Sequence, residues 1–330
     1  MNQINKRPLL IFLSLASTVL VGWIIFMTSN DLLSLFIDNW FMTVTMIVGS
    51  FIAGASSEGG GAIAYPAMTL LFNIEPSVAR NFSFAIQSFG MTFAAIWIFL
   101  SKIKIEINYL LLAGLGGFVG IILGTLYIAP LVQPAYAKMM FVSFWLSFGI
   151  ALWYVNFTNS KKESVDSLPN FTNYQKIELI LVGVFGGVFS SILGNGLDIC
   201  TFAFVVLKYG LSEKIATPTS VILMASNAIV GFAMHSLVLN TMQPEAINYL
   251  LVCIPVVIFG APLGAFVINK IGRKTIAMTL IVIIVVQFFT ALYIIRPDST
   301  LSLFSLGISI AGLLLFFVLT RFRKDSISSI

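Results

Sequence analysis

The sequence predicts an all-α polytopic membrane protein of about eight transmembrane helices plus two broken, re-entrant hairpins in an inverted-topology repeat. Three observations predict it. Of 330 residues, 58% are hydrophobic and only 9% charged, against about 25% charge in a soluble globular domain. Eight uncharged runs, at 9–27, 81–101, 109–129, 139–160, 215–243, 246–269, 275–295 and 299–320, are long enough to cross about 30 Å of hydrocarbon. Two further apolar segments, 39–74 and 179–207, are each interrupted by glycines and an acid. Paired interruptions of this kind point to the binding site of a transporter.

In chain order, Lys6-Arg7 ahead of 9–27 resembles a signal peptide. The apolar run is long and no small-x-small cleavage site precedes Asn30, so it reads as an uncleaved first span. The first interruption is Ser56-Ser57-Glu58-Gly59-Gly60-Gly61-Ala62-Ile63-Ala64-Tyr65-Pro66, whose glycines and proline prevent one continuous helix. Non-helical backbone inside a membrane must be buried in protein or line a cavity. The second interruption is Gly194-Asn195-Gly196-Leu197-Asp198. Beyond it, 199–207 supplies about 14 Å of helix, too short to cross. If both segments return to the side they came from, 15 of the 18 Lys and Arg residues fall on the cytoplasmic side with both termini, and only Arg80, Lys138 and Arg296 lie outside. The positive-inside rule favours that arrangement over two simple crossings. The first hairpin, with arms 39–57 and 59–74, is compatible with a re-entrant loop or a hairpin that spans.

Internal similarity predicts a duplication. Gly59 and Ala79 correspond to Gly196 and Ala216, Asn81 and Ser83 to Pro218 and Ser220, Gly120-x3-Gly124 to Gly260-x3-Gly264, and Ala151-Leu152-Trp153 to Ala291-Leu292-Tyr293, at offsets of 137 or 140 residues. Each copy has one hairpin and three spans, an odd number of crossings, which inverts the second copy. The chain divides into an N-terminal helix (1–38), repeat one (39–157), a polar cytoplasmic linker (158–176), repeat two (177–295) and a C-terminal helix and tail (296–330).

Several function classes are excluded or disfavoured. The net charge of +5 comes from bases at span ends, where topology accounts for them, so nucleic acid is not an expected partner. Cys200 and Cys253 both lie in apolar segments and make neither a disulfide framework nor a metal site; no cofactor is expected. There is no GxxxxGK[ST] phosphate loop.

The chemistry is expected at the breaks. A half-helix starting near Tyr65-Pro66 would aim unpaired backbone N–H groups and the positive end of its dipole at Gly59, Gly60 and Gly61, an anion site that needs no basic side chain. Gly120/Gly124 and Gly260/Gly264, by contrast, read as helix-packing glycines. Glu58 and Asp198 are the carboxylates deep in apolar segments, each costing about 3 kcal/mol or more to place there. Asp198 either caps the half-helix that follows or relays a proton or cation; Glu58 is the poorer cap and reads as functional. The spans after the breaks are polar on one side: Asn81, Ser88 and Thr92, with Ser83 and Gln87 beside them, and Thr217, Ser220, Met224, Asn227, Gly231 and His235 on one helical face. Candidate substrate-binding residues are Ser57, Glu58, Gly59, Gly60, Gly61, Asn81, Gln87, Asn195, Gly196, Asp198, Thr217, Ser220 and Asn227. His235 is expected to bond between helices.

Gly59-Gly60-Gly61 followed by Pro66 and then 79–83, repeated more loosely as Gly194-x-Gly196-x-Asp198 and Ala216-Thr217-Pro218-Thr219-Ser220, resembles the TauE/SafE family of sulfite-exporter-like transporters over residues 40–295. Repeat two departs from the family pattern in having Leu197 and Asp198 in place of glycines and Ala203 in place of proline. The resemblance implies inner-membrane carriage of sulfite, sulfonates or related organic anions. The expected activity is therefore secondary transport of a small anion through a lipid bilayer, coupled to a proton or cation. The rivals are a passive channel and an intramembrane hydrolase using Ser57, His235 and Asp198.

Overall fold

The computed structural model describes residues 6–56, 64, 65, 67–158, 164–168 and 171–328. Ser57, Glu58, Gly59, Gly60, Gly61 and Pro66 lie outside the described residues, as does part of the linker. The described residues form eleven long helices: α1 (Lys6–Ser29), α2 (Leu35–Ala55), α3 (Pro76–Leu100), α4 (Ile107–Leu123), α5 (Pro134–Trp153), α6 (Asn173–Leu193), α7 (Leu197–Lys208), α8 (Glu213–Ala233), α9 (Pro244–Ile268), α10 (Arg273–Ile295) and α11 (Ser299–Ser328). Single π-helical turns extend α4, α5 and α8 to Ile128, Thr158 and Val238.

Among the described residues, ten helices are long and apolar enough to cross a membrane. The two beyond the eight expected spans are α2 and α6, the first arms of the hairpins. Each has 21 residues, about 31 Å of helix. Counting uncharged residues shortened them because Asp38 in α2 and Lys176 and Glu178 in α6 interrupt their opening turns. The helix α6 begins six residues before the apolar run, where Thr172 and Gln175 form a capping box, and Lys176 and Glu178 lie in its opening turns.

Hydrogen bonds fix which helix ends lie together. At one edge of the bundle, the Glu106 amide donates to Thr219 Oγ1 (3.0 Å) and Leu168 N donates to a Glu106 carboxylate oxygen (3.0 Å). At the same edge Val165 bridges to Leu211, Asn156 donates to Glu213 (3.0 Å) and Lys208 pairs with Glu178. This edge therefore gathers the starts of α4, α6 and α8 and the end of α7. At the other edge, Asn81 and Ser77 of α3 bond the loop 241–243 ahead of α9.

Close glycine contacts set the direction of the hairpin arms. A Cβ on Gly116 would meet Val184 N at 2.8 Å, one on Gly120 would meet the Val184 carbonyl, and one on Gly124 would meet Val188 and Ser191, so α4 and α6 run parallel. Likewise Thr43 Oγ1 donates to Val252 O (3.0 Å), Gly260 abuts Ser50 and Gly264 abuts Phe51 and Ala55, so α2 and α9 run parallel. Since α3 starts at the edge where α9 starts, segment 56–75 brings the chain back to the edge from which α2 sets out. Segment 194–212 does the same between α6 and α8. Gly120, Gly124, Gly260 and Gly264 are packing glycines, as the sequence predicts.

Apolar burial holds the frame. Trp145, Phe148 and Phe202 join α5 to α7 in one core cluster, and Met42, Met46, Phe82 and Ile258 join α2, α3 and α9 in another. The peripheral helices are tied on by a few polar bonds. Trp23 Nε1 of α1 donates to Leu251 O (2.9 Å), Ser143 pairs with Ser305, and Ser147 donates to Ser309 O (2.9 Å).

Candidate functional site

The second break forms because the backbone at 194–196 takes a conformation that glycine adopts without a Cβ penalty. Gly194 lies in the left-handed region (φ 87°) and closes α6 by donating to Ser190 O (2.7 Å); Gly196 follows with φ 151°. From Glu178, level with Lys208, to Leu193 the arm descends about 22 Å, and its tip meets the first turns of α3 at Arg80 and Ser83. The returning half-helix α7 has 12 residues, about 18 Å.

The tip is pinned to α3. A Cβ on Gly194 would lie 2.7 Å from Ser83 Cβ and 3.0 Å from Arg80 O, which leaves room for hydrogen alone. Gln87 Nε2 donates to Ser83 O (2.9 Å) and Gly194 O (3.1 Å). The first amides of the half-helix are satisfied inside the hairpin: Gly196 N donates to Asp198 Oδ1 (3.1 Å) and Leu197 N to Ser190 Oγ (2.9 Å).

The half-helix begins at Leu197 with Gly196 in the N-cap position, so Asp198 sits within its first turn and its side chain satisfies the Gly196 amide from there. Its carboxylate, 1% exposed, occupies the positive end of the α7 dipole, where a bound anion would otherwise be favoured. Tyr109 Oη and Thr201 Oγ1, bonded at 2.9 Å, stand one turn farther along α7.

The structure gathers some of the sequence-predicted residues at this tip and separates others. Gln87, Asn195, Gly196 and Asp198 are together. Asn227 joins them from α8: with Leu197 it lines a recess of 390 Å³ that is otherwise walled mainly by apolar side chains of α4 and α8, including Leu111, Leu115 and Phe118. Buried oxygens of Gln87 (Oε1), Asp198 (Oδ2) and Asn227 (Oδ1) have no hydrogen-bond partner among the described residues. Thr217 and Ser220 lie near the opposite edge, beside Thr219 and Glu106. The 18 residues from Thr217 to His235 correspond to about 27 Å of helix, so Thr217 and Ser220 do not share a site with Asn81. Ser220 Oγ donates to Thr217 O (2.8 Å) within its own helix.

His235 does not bond between helices as expected. Its Nδ1 lies 2.8 Å from Thr241 Oγ1 in the loop after its own helix, and its ring stacks on Phe84 at 5.8 Å. Nor does it pair with Asp198, since His235 Nε2 and Asp198 Oδ2 are both without a hydrogen-bond partner among the described residues; Ser57, the third member of the hydrolytic set, lies outside them.

The sequence reading passed over Arg80, treating it only as a charge on the outer side. It lies on α3 beside the second break. Its carbonyl abuts Gly194, and its guanidinium is within electrostatic reach of Tyr65, the described residue just past the first break, and of His235. Arg80 Nε donates to Asn81 Oδ1 (3.1 Å), and Asn81 Nδ2 is held by Thr241 O (2.9 Å) and Gln243 Oε1 (2.8 Å). The available signal was its place directly between Ala79 and Asn81, inside the stretch repeated after each break.

Among the described residues no cluster of His, Cys, Asp and Glu has the makings of a metal site. No curated protein and no solved structure matches the chain. The family of the sulfite exporter TauE/SafE matches residues 41–294, within one residue at each end of the span that carries the sequence resemblance. With that match over most of its length and ten helices fit to cross a bilayer, the chain belongs to the TauE/SafE family of membrane transporters.

Proposed function

We propose that the protein is a secondary transporter of a small sulfur-containing or organic anion, such as sulfite or a sulfonate, across the inner (plasma) membrane. Both termini are cytoplasmic in this reading. The observation that carries it is the buried tip of the second hairpin. A helix break is locked against α3, and buried oxygens around it lack partners among the described residues, each costing about 1–3 kcal/mol unless a ligand, ion or water completes it. Oxygen acceptors suit a coupling proton or cation. The anion belongs on the side of the first hairpin, where Gly59, Gly60 and Gly61 offer backbone amides and Glu58 gates them: ionised it repels the anion, neutral it admits it.

The reciprocal parallel pairing of α2 with α9 and of α4 with α6 supports an inverted repeat of 39–157 and 177–295, in which the leading arm of each copy packs on a span of the other. Alternating access then amounts to motion of the hairpins and their partner helices about the α3–α8 contact.

The test is uptake of sulfite and of methanesulfonate into proteoliposomes under an imposed pH gradient. Saturable, gradient-dependent uptake is expected, with Glu58→Gln still binding substrate but losing the pH dependence of net flux. Flux that never saturates would mark a channel, and no flux of either anion would end the anion reading.

A further inference from the structure

The pairing of Arg80 points to a specific recognition group, on the basis of the anion-transport reading. We propose that the Arg80 guanidinium is the main anion-binding side chain of this transporter and that it selects oxyanions presenting two oxygens side by side.

Three observations lead there. Arg80, the fifth residue of a membrane-spanning helix, is partly buried in protein, and a cation drawn out of water is costly unless it is paired or serves a pathway. Among the described residues its only hydrogen bond is from Nε to Asn81 Oδ1, and it makes no salt bridge there, the Lys208–Glu178 pair being elsewhere. The two terminal amino groups therefore keep their donors. Asn81 is itself clamped by Thr241 and Gln243, and Gln243 by Ser77 (2.9 Å), so the fork is held at Nε and its two terminal amino groups have no partner among the described residues. A guanidinium oriented in this way donates two parallel N–H bonds to a sulfonate, sulfite or carboxylate, a match that a spherical halide cannot exploit.

Position supports the role. Through its backbone Arg80 touches the second hairpin at Gly194, and through its charge it meets Tyr65, next to the first. His235 Nε2, buried and without a hydrogen-bond partner among the described residues, stands within the same electrostatic reach. An anion bound here would sit between the two hairpins and bias both. Among the described residues Glu75 is the acid in reach of Arg80, and its Oε1 accepts from Ser77 (2.6 Å).

The experiment measures binding to purified full-length protein in detergent by isothermal titration, with sodium methanesulfonate, sodium sulfite and sodium chloride as probes. Wild type and Gly22→Ala, whose added methyl meets nothing within 4 Å, should bind the two oxyanions alike and chloride much more weakly. Arg80→Gln should weaken oxyanion binding at least about tenfold, the scale of one lost charge-assisted pair. Arg80→Lys, which keeps the charge and guards against a folding defect in the glutamine variant, should lose most of the preference for oxyanion over chloride. Wild-type affinity in Arg80→Gln, or undiminished preference in Arg80→Lys, overturns the assignment and leaves anion transport standing. Absence of binding by wild type overturns both.

Discussion

Gly120→Ala tests the helix packing that places the second hairpin. The added methyl carbon would stand 2.8 Å from the Val184 carbonyl carbon and 2.9 Å from its Cα, and closer still to the carbonyl oxygen. Ordinary contact begins near 3.4 Å, so α4 and α6 must part by about 0.6 Å or more. Neither side can yield by rotating a side chain, because the obstructing atoms are backbone. Overpacking of this kind costs about 1–3 kcal/mol, while alanine regains about 1 kcal/mol of helix propensity over glycine. The net expectation is a loss of up to about 2 kcal/mol. Gly22→Ala, with open space around it, should show the propensity gain alone. The assay is equilibrium unfolding in mixed detergent micelles followed by tryptophan fluorescence, both variants against wild type. Equal stability of Gly120→Ala and Gly22→Ala would refute the close parallel packing of α4 on α6, and with it the depth assigned to the tip at Gly194.

Three other outcomes are expected. In a background lacking Cys200 and Cys253, single cysteines at Lys104 and Lys162 should be shielded from an impermeant thiol reagent in intact cells, and one at Asn240 should react; labelling at Lys104 would reverse the assignment of the edges. Gly61→Val should abolish anion binding with little loss of folded protein, since a branched side chain would block the backbone amides, and normal binding would move the anion off the first break. Asp198→Asn retains an acceptor for the Gly196 amide, so folding and transport should change little; loss of proton coupling in this variant would place the relay in the second hairpin rather than at Glu58.

The sequence by itself determined the membrane character, the places where helices must break and the return of each hairpin, because those follow from hydropathy, glycine content and the side preference of lysine and arginine, all local properties. It also marked Gly120, Gly124, Gly260 and Gly264 as packing positions, since small residues four apart make one narrow face. What lay beyond it depends on contacts between distant parts of the chain. Gln87 and Gly194 are 107 residues apart and Asn81 and Thr241 are 160 apart, and no periodicity encodes which helix faces meet. The polar face from Thr217 to His235 is a true helical stripe, yet its length spreads it along the bundle, so its Thr217 end lies at the opposite edge while Asn227, midway along it, shares a recess with Leu197 beside the tip. Arg80 looked like one outer charge among three; only the packing of α3 sets its carbonyl against Gly194 and its Nε on Asn81, contacts that no local pattern encodes.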